Sequence, residues 1–116
     1  MEVIVISAVA ENGVIGNGAK IPWYFSEDFQ RFKQLTHGCA VIMGRKTFEL
    51  LPVKPLPNRL NVVLSSDENY VADGATVKSS FEEALDFCKH YEKVFVIGGR
   101  SVYEQGLKIV DIGWKI

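Results

Sequence analysis

Four runs of apolar, largely β-branched residues constrain this chain more than any other feature. VIVISAVA (Val3 to Ala10), CAVIM (39–43), LNVVLSS (60–66) and KVFVIGG (93–99) are nearly continuous rather than alternating, as strands buried on both faces are. Segments of helical spacing lie between them. Strands joined through helices imply right-handed crossovers and a mainly parallel central sheet flanked by helices, an α/β fold. A shorter strand is expected at ATVK (75–78), and the closing IVDIGWKI can begin one more.

The helices have their own signals. GRKTFELL follows CAVIM directly and is broken by Pro52, Pro55 and Pro57, residues that cannot continue a helix. SSFEEALDFCKHY offers a capping box at Ser79 to Glu82 or at Ser80 to Glu83, with Phe81, Ala84, Leu85 and Cys88 on one face. RSVYEQGL is entered through Gly98-Gly99, and the glycines of ENGVIGNGAKIPW mark a flexible loop. The 116 residues, 47% of them hydrophobic, suffice for one domain with a real core. A net charge of -1 argues against a broad nucleic-acid or anionic-membrane surface. Without a membrane-length apolar run or a cleavable leader, the expectation is a cytoplasmic protein. Cys39 and Cys88 are far apart and form no metal-ligand spacing with His37 or His90; buried free thiols are expected.

IPWYFSEDFQRFKQLT (21–36) poses the chemical question. In a helix starting after Ser26, Asp28 shares a face with Phe25, Phe32 and Leu35. Two readings stand. Ser26 is an N-cap with Glu27 and Asp28 as first-turn acids; or Asp28 is a ligand-binding or catalytic carboxylate in a pocket walled by Phe32 and covered by Trp23. A carboxylate among rings is costly unless something pairs with it.

Ligands of such sheets bind beyond the carboxyl ends of the strands. Three strand exits are similar: Gly44-Arg45-Lys46-Thr47, Ser65-Ser66 and Gly98-Gly99-Arg100-Ser101. The Gly pair allows close backbone approach, and the helix start after it offers N–H groups to a phosphate. Cations at a helix start oppose its dipole, so an anion held by Arg45 and Lys46 would relieve the conflict. Three polar exits suggest one ligand with several phosphates, as in a dinucleotide.

These residues also resemble the dihydrofolate reductase family, from Val3 to about Tyr103. The resemblance rests on AVAENGVIGNGAKIPW, on Asp28 and Phe32 as D-x-x-x-F, and on VIMGRKTFE, PLPNR, VVLSS and VIGGRSVYE, in that order and spacing. It implies NADPH-dependent reduction of 7,8-dihydrofolate to tetrahydrofolate, by hydride transfer to carbon 6 of the pterin. Asp28 would then be the acid that pairs with the pterin's 2-amino group and N3. Phe32, Leu51 and Leu56 would supply apolar wall, Arg59 would hold the glutamate α-carboxylate, and Trp23 would stand at the base of a lid formed by Asn12 to Ile21. Ile6, Ala8 and Ile97 would line the junction of pterin and nicotinamide. On the cofactor side the resemblance implies Ala8, Ile15, Gly44, Arg45, Lys46, Thr47, Leu64, Ser65, Ser66 and Ile97. Gly98, Gly99, Arg100, Ser101 and Val102 would wrap the pyrophosphate, and Tyr103 would lie by the nicotinamide half.

The resemblance ends early. The family normally continues with antiparallel strands, whereas this sequence stops at Ile116, so a C-terminally incomplete single domain (1–116) is expected. Its exposed sheet edge invites a homo-oligomer. Two other functions are compatible with the motifs: a non-catalytic NADPH- or folate-binding domain, and a pterin or pyrimidine reductase of riboflavin synthesis. Arg59 and the acidic helix disfavour the latter.

Overall fold

The computed structural model describes residues 2–7, 29–51, 54–107 and 112–115. Each apolar run forms a strand: β1 (Glu2–Ser7), β2 (Ala40–Gly44), β3 (Leu60–Leu64) and β5 (Lys93–Val96). The weaker expectations hold as well, giving β4 (Thr76–Lys78) and β6 (Ile112–Lys115). The six strands lie in the order β4-β3-β2-β5-β1-β6. Every pairing among the described residues is parallel. No antiparallel strand occurs among those residues.

Burial on both faces explains the unbroken apolar runs. Val41 and Met43 point to one face with Ile4, Val63, Phe95 and Ile97, while Ala40 and Ile42 join Val3, Val5, Val62, Val94 and Val96 on the other. Val41, Ile42, Met43, Val62 and Val63 are all fully shielded. Burying a side chain of this kind stabilises by about 1.5–3 kcal/mol. The first face is covered by Leu35 of α1 (Phe29–Thr36) and by Phe48 of α2 (Arg45–Leu50), together with Leu51 and Leu56. The second is covered by Phe81 and Ala84 of α3 (Phe81–Phe87) and by Val102 and Tyr103 of α4 (Arg100–Leu107).

Of the two possible capping boxes, Ser80 provides the cap. Its Oγ accepts from the Glu83 N–H at 3.1 Å, while Ser79 Oγ donates to Glu83 Oε1 at 3.0 Å. Two strands stop short of their expected ends. LNVVLSS leaves the ladder after Leu64, which pairs with Lys78 at the end of the short β4, and KVFVIGG leaves it after Val96. Both cysteines are free, but only Cys88 is fully buried; Cys39 is half-buried beside the α1 C-terminus.

The connections locate the crevice. β2 continues through α2 to β3, toward one edge of the sheet, on the face that Phe48 covers. β5 continues through α4 toward β6 and the other edge, on the face that Val102 covers. Adjacent strands whose connections depart in opposite directions leave a cleft between their carboxyl ends. Here that cleft lies between β2 and β5.

Candidate functional site

The backbone itself joins the two sides of the cleft. The Gly44 N–H, at the end of β2, donates to the Gly98 carbonyl at 2.8 Å, and the Ile97 N–H donates to Ile42 O at 3.0 Å. The Gly98-Gly99 peptide is cis, and Gly98 has φ +132°, a region that disfavours side chains. A Cβ on Gly98 would stand 3.3 Å from Tyr103 Oη and 3.4 Å from Thr47 Oγ1. Both oxygens therefore sit directly against the glycine turn. Tyr103 Oη is fixed there by donating to Ile97 O at 2.9 Å, and its N–H donates to Gly99 O at 2.9 Å, starting α4. Thr47 is buried in the first turns of α2.

The cleft thus gathers Gly44, Thr47, Ile97, Gly98, Gly99, Val102 and Tyr103. Ile97 and Val102 are buried behind it, and Ser101 is exposed on α4. The arrangement combines a glycine turn, a hydroxyl and the amino end of a helix, which suits a phosphate group.

The β3 exit forms the neighbouring rim. Leu64 is the β3 partner of Gly44; Ser65, half-buried, and Ser66, exposed, follow it. Arg45 bridges the two exits, with Nη1 3.7 Å from Asp67 Oδ2 and Nε 3.6 Å from Glu49 Oε2. Its guanidinium lies 4.3 Å above the Tyr70 ring centre. These ion pairs are about half exposed, so they orient Arg45 more than they stabilise the fold. Lys46 is exposed and, among the described residues, makes no ion pair.

Arg59 is built into a separate corner. Its Nε donates to Thr36 Oγ1 at 2.7 Å and its Nη2 to Lys33 O at 2.6 Å, while Nη1 donates to Pro57 O. Two of these acceptors belong to the last turn of α1, whose dipole favours a cation. Burial pulls the Arg59 guanidinium below its ordinary value, with Cys39 pulling the other way; a guanidinium nevertheless stays charged. The loop that delivers Arg59 is pinned by Asn61, which is almost fully buried. Asn61 Oδ1 accepts from the Leu56 N–H, and its Nδ2 donates to the carbonyls of Leu56 and Arg59, each at 3.0 Å. Leu51 and Leu56 are 2% and 4% exposed and pack into the core beside Phe48.

Ala8, Ile15, Trp23, Asp28 and the loop from 12 to 21 lie outside the described residues, as do the side chains of Ile6, Phe32 and Arg100. Their backbones place Ile6 in β1 opposite Trp114, Phe32 in α1, and Arg100 at the start of α4. Four contributors were not anticipated from the sequence: Thr36, Asn61, Asp67 and Tyr70. Asn61 carried a usable signal, being the polar residue within the strand LNVVL. The other three act through contacts that local spacing does not encode.

The family profile described as dihydrofolate reductase matches residues 2–113. Dihydrofolate reductase of Neisseria meningitidis serogroup A is 46% identical over 109 residues, covering 94% of this chain and 67% of that protein. The Mycobacterium tuberculosis enzyme of the same name is 46% identical over 104 residues, covering 88% of this chain and 62% of its relative. Among solved structures, dihydrofolate reductase from Enterococcus faecalis, complexed with NADP(H) and RAB-propyl, superposes with a TM-score of 0.88 at 36% identity. That match covers 98% of this chain and 68% of the other.

Proposed function

Because this chain belongs to the dihydrofolate reductase family, we propose that it binds NADPH and reduces 7,8-dihydrofolate to 5,6,7,8-tetrahydrofolate. The observation that carries the reading is the cleft between β2 and β5, where Gly98, Gly99 and Thr47 converge beside Gly44. A dinucleotide diphosphate suits that cradle: the glycines leave room for close approach, and the start of α4 directs N–H groups outward. Thr47 Oγ1 and the residues from Gly98 to Val102 would hold the pyrophosphate. Arg45, Ser65 and Ser66 would meet the adenosine 2′-phosphate, with Lys46 adding positive charge.

Bound NADPH supplies the hydride that reaches carbon 6 of the pterin. The chain's own residues do the rest. Asp28 pairs with the 2-amino group and N3 of the ring, fixing its orientation and favouring the protonated substrate whose nitrogen 5 gains a proton. Phe32 packs on the pterin, and Ile6, Ala8 and Ile97 line the junction where the two rings meet. Arg59 offers two donor edges to a carboxylate, and its planar fork suits the glutamate α-carboxylate. Leu51 and Leu56 back that wall from the core. By the family resemblance, the segment from Asn12 to Ile21, bearing Ile15, would serve as the lid over the nicotinamide that keeps water out during transfer.

The test is oxidation of NADPH on addition of dihydrofolate to purified chain of verified mass, beside Asp28→Asn. Turnover that the variant loses supports a reductase whose acid is Asp28. NADPH binding without turnover supports a binding domain instead. Turnover untouched by Asp28→Asn removes that residue from the mechanism.

A further inference from the structure

The rim beside the cleft holds two chemically opposed groups. In dinucleotide sites a carboxylate takes the ribose 2′-hydroxyl of NADH, whereas an arginine takes the 2′-phosphate of NADPH. Here both stand together, Arg45 Nη1 being 3.7 Å from Asp67 Oδ2. We propose that this rim accepts NADH as well as NADPH, with Asp67 as the specificity-determining residue. The inference rests on the reading of Arg45 and Ser65-Ser66 as the adenosine end of the cofactor site.

The carboxylate is held in place. Asp67 Oδ1 accepts from the Asn69 N–H at 2.9 Å, and the Asp67 N–H donates to Ser65 Oγ at 3.1 Å. That double anchorage leaves Oδ2 facing the guanidinium. Arg45 is equally constrained, stacked on Tyr70 at 4.3 Å and drawn to Glu49 at 3.6 Å. Two carboxylates therefore already answer its single positive charge.

A 2′-phosphate approaching this arginine must share it with Asp67, and two anions at one cation repel. Part of the attraction for NADPH is cancelled. A ribose diol meets no such penalty: its hydroxyls donate to Asp67 while the ion pair stays intact, a hydrogen bond strengthened by the charge of its acceptor. The carboxylate thus weakens one dinucleotide and assists the other.

The measurement is direct titration of NADPH and NADH into the purified chain, followed by nicotinamide fluorescence, so no turnover is needed. Wild type is expected to bind both, with dissociation constants within about tenfold of each other. Asp67→Asn should tighten NADPH by roughly three- to fivefold, the scale of one exposed charge pair, and should weaken NADH by a comparable factor. Asp67→Ser keeps an acceptor for the Asn69 N–H but lacks the charge, so it should shift the ratio in the same direction. A ratio that both variants leave unchanged overturns the proposal, as does wild-type NADH binding more than about a hundredfold weaker than NADPH. In either case, tight NADPH binding would leave the family reading of the site standing. A chain that binds neither dinucleotide overturns both readings.

Discussion

Replacing Asn61 with alanine tests the way the fold delivers Arg59. The Asn61 side chain is 2% exposed and makes three hydrogen bonds, two to the backbone of Leu56 and one to Arg59 O. The Arg59 carbonyl is partly exposed and turns to water when the amide is removed. The Leu56 N–H and C=O are buried, and each buried group left unpaired costs about 1–3 kcal/mol. Water entering the space vacated by the amide satisfies part of that need. The net expectation is a loss of about 3 kcal/mol.

Marginal stability at about 0.05–0.15 kcal/mol per residue gives a domain of this length roughly 6–17 kcal/mol, so the variant still folds. With a urea m-value of about 2 kcal/mol/M, the midpoint should fall by roughly 1.5 M at unchanged m. Asn61→Leu has the same branched shape but is bulkier, so it leaves no room for water and offers no polar atom. It should therefore cost more than alanine. An alanine variant losing less than about 1 kcal/mol, or a leucine variant no worse than alanine, would refute the idea that these bonds hold the loop.

Other perturbations probe separate parts of the structure. Gly74 has φ +78°, and a Cβ there would fall 2.7 Å from Pro55 Cγ; Gly74→Ala should cost about 1–3 kcal/mol, seen as a lower Tm by calorimetry, whereas an unchanged Tm would contradict the close approach. Burial pushes the Cys88 thiol up from 9.0 to about 11. Between those pH values the unfolded thiol ionises while the folded one does not, so stability present below pH 9 falls by up to about 2 kcal/mol as pH rises. Cys88→Ala should remove that part of the slope, measured by urea unfolding at pH 8 and pH 10.5. Arg59→Lys keeps the charge but cannot reach Thr36, Lys33 and Pro57 together; it should weaken dihydrofolate by about tenfold or more while leaving a pterin without the glutamate tail unaffected.

The sheet was legible because burial on both faces leaves a chemical trace in every strand. Val41, Ile42 and Met43 had to be apolar whichever way they pointed, and the helices between them set the crossovers. Strand ends were less legible, since composition does not say where pairing stops. Ser65 reads as a continuation of LNVVL, and its N–H still donates to Lys78 O at 3.0 Å, but the β4 ladder ends opposite Leu64. The capping serine was undecidable from spacing, as both Ser79 and Ser80 precede a glutamate at the right interval; geometry selects Ser80. The glycine turn before α4 was readable because Gly98-Gly99 and a helix start advertise it locally. The partners of Arg45 and Arg59 were not, because Asp67 and Thr36 reach them only after the chain has folded back.

Arg59 is the residue where two readings of the sequence meet. As a surface arginine in a proline-rich loop it would have left little trace in the fold, yet its guanidinium makes three hydrogen bonds, two of them to the final turn of α1. Those bonds leave one hydrogen on each terminal nitrogen, since Nη1 and Nη2 carry two apiece and each spends one. The fork therefore keeps donors for a carboxylate while its plane is fixed by the helix. Phe32 lies in the same helix, one turn before Thr36, and Asp28 immediately precedes Phe29, its first described residue. A single short helix thus ties the group proposed for the glutamate end of the substrate to those proposed for its pterin end. Removing the Thr36 hydroxyl should consequently disturb affinity for the tail before it disturbs the ring. Thr36→Val, which preserves shape, separates the two: affinity for dihydrofolate falls by several-fold, about the worth of one charge-assisted hydrogen bond, while affinity for the tail-less pterin stays as it was. Equal loss for both ligands would mean that Thr36 merely supports α1 and that Arg59 does not depend on it for orientation.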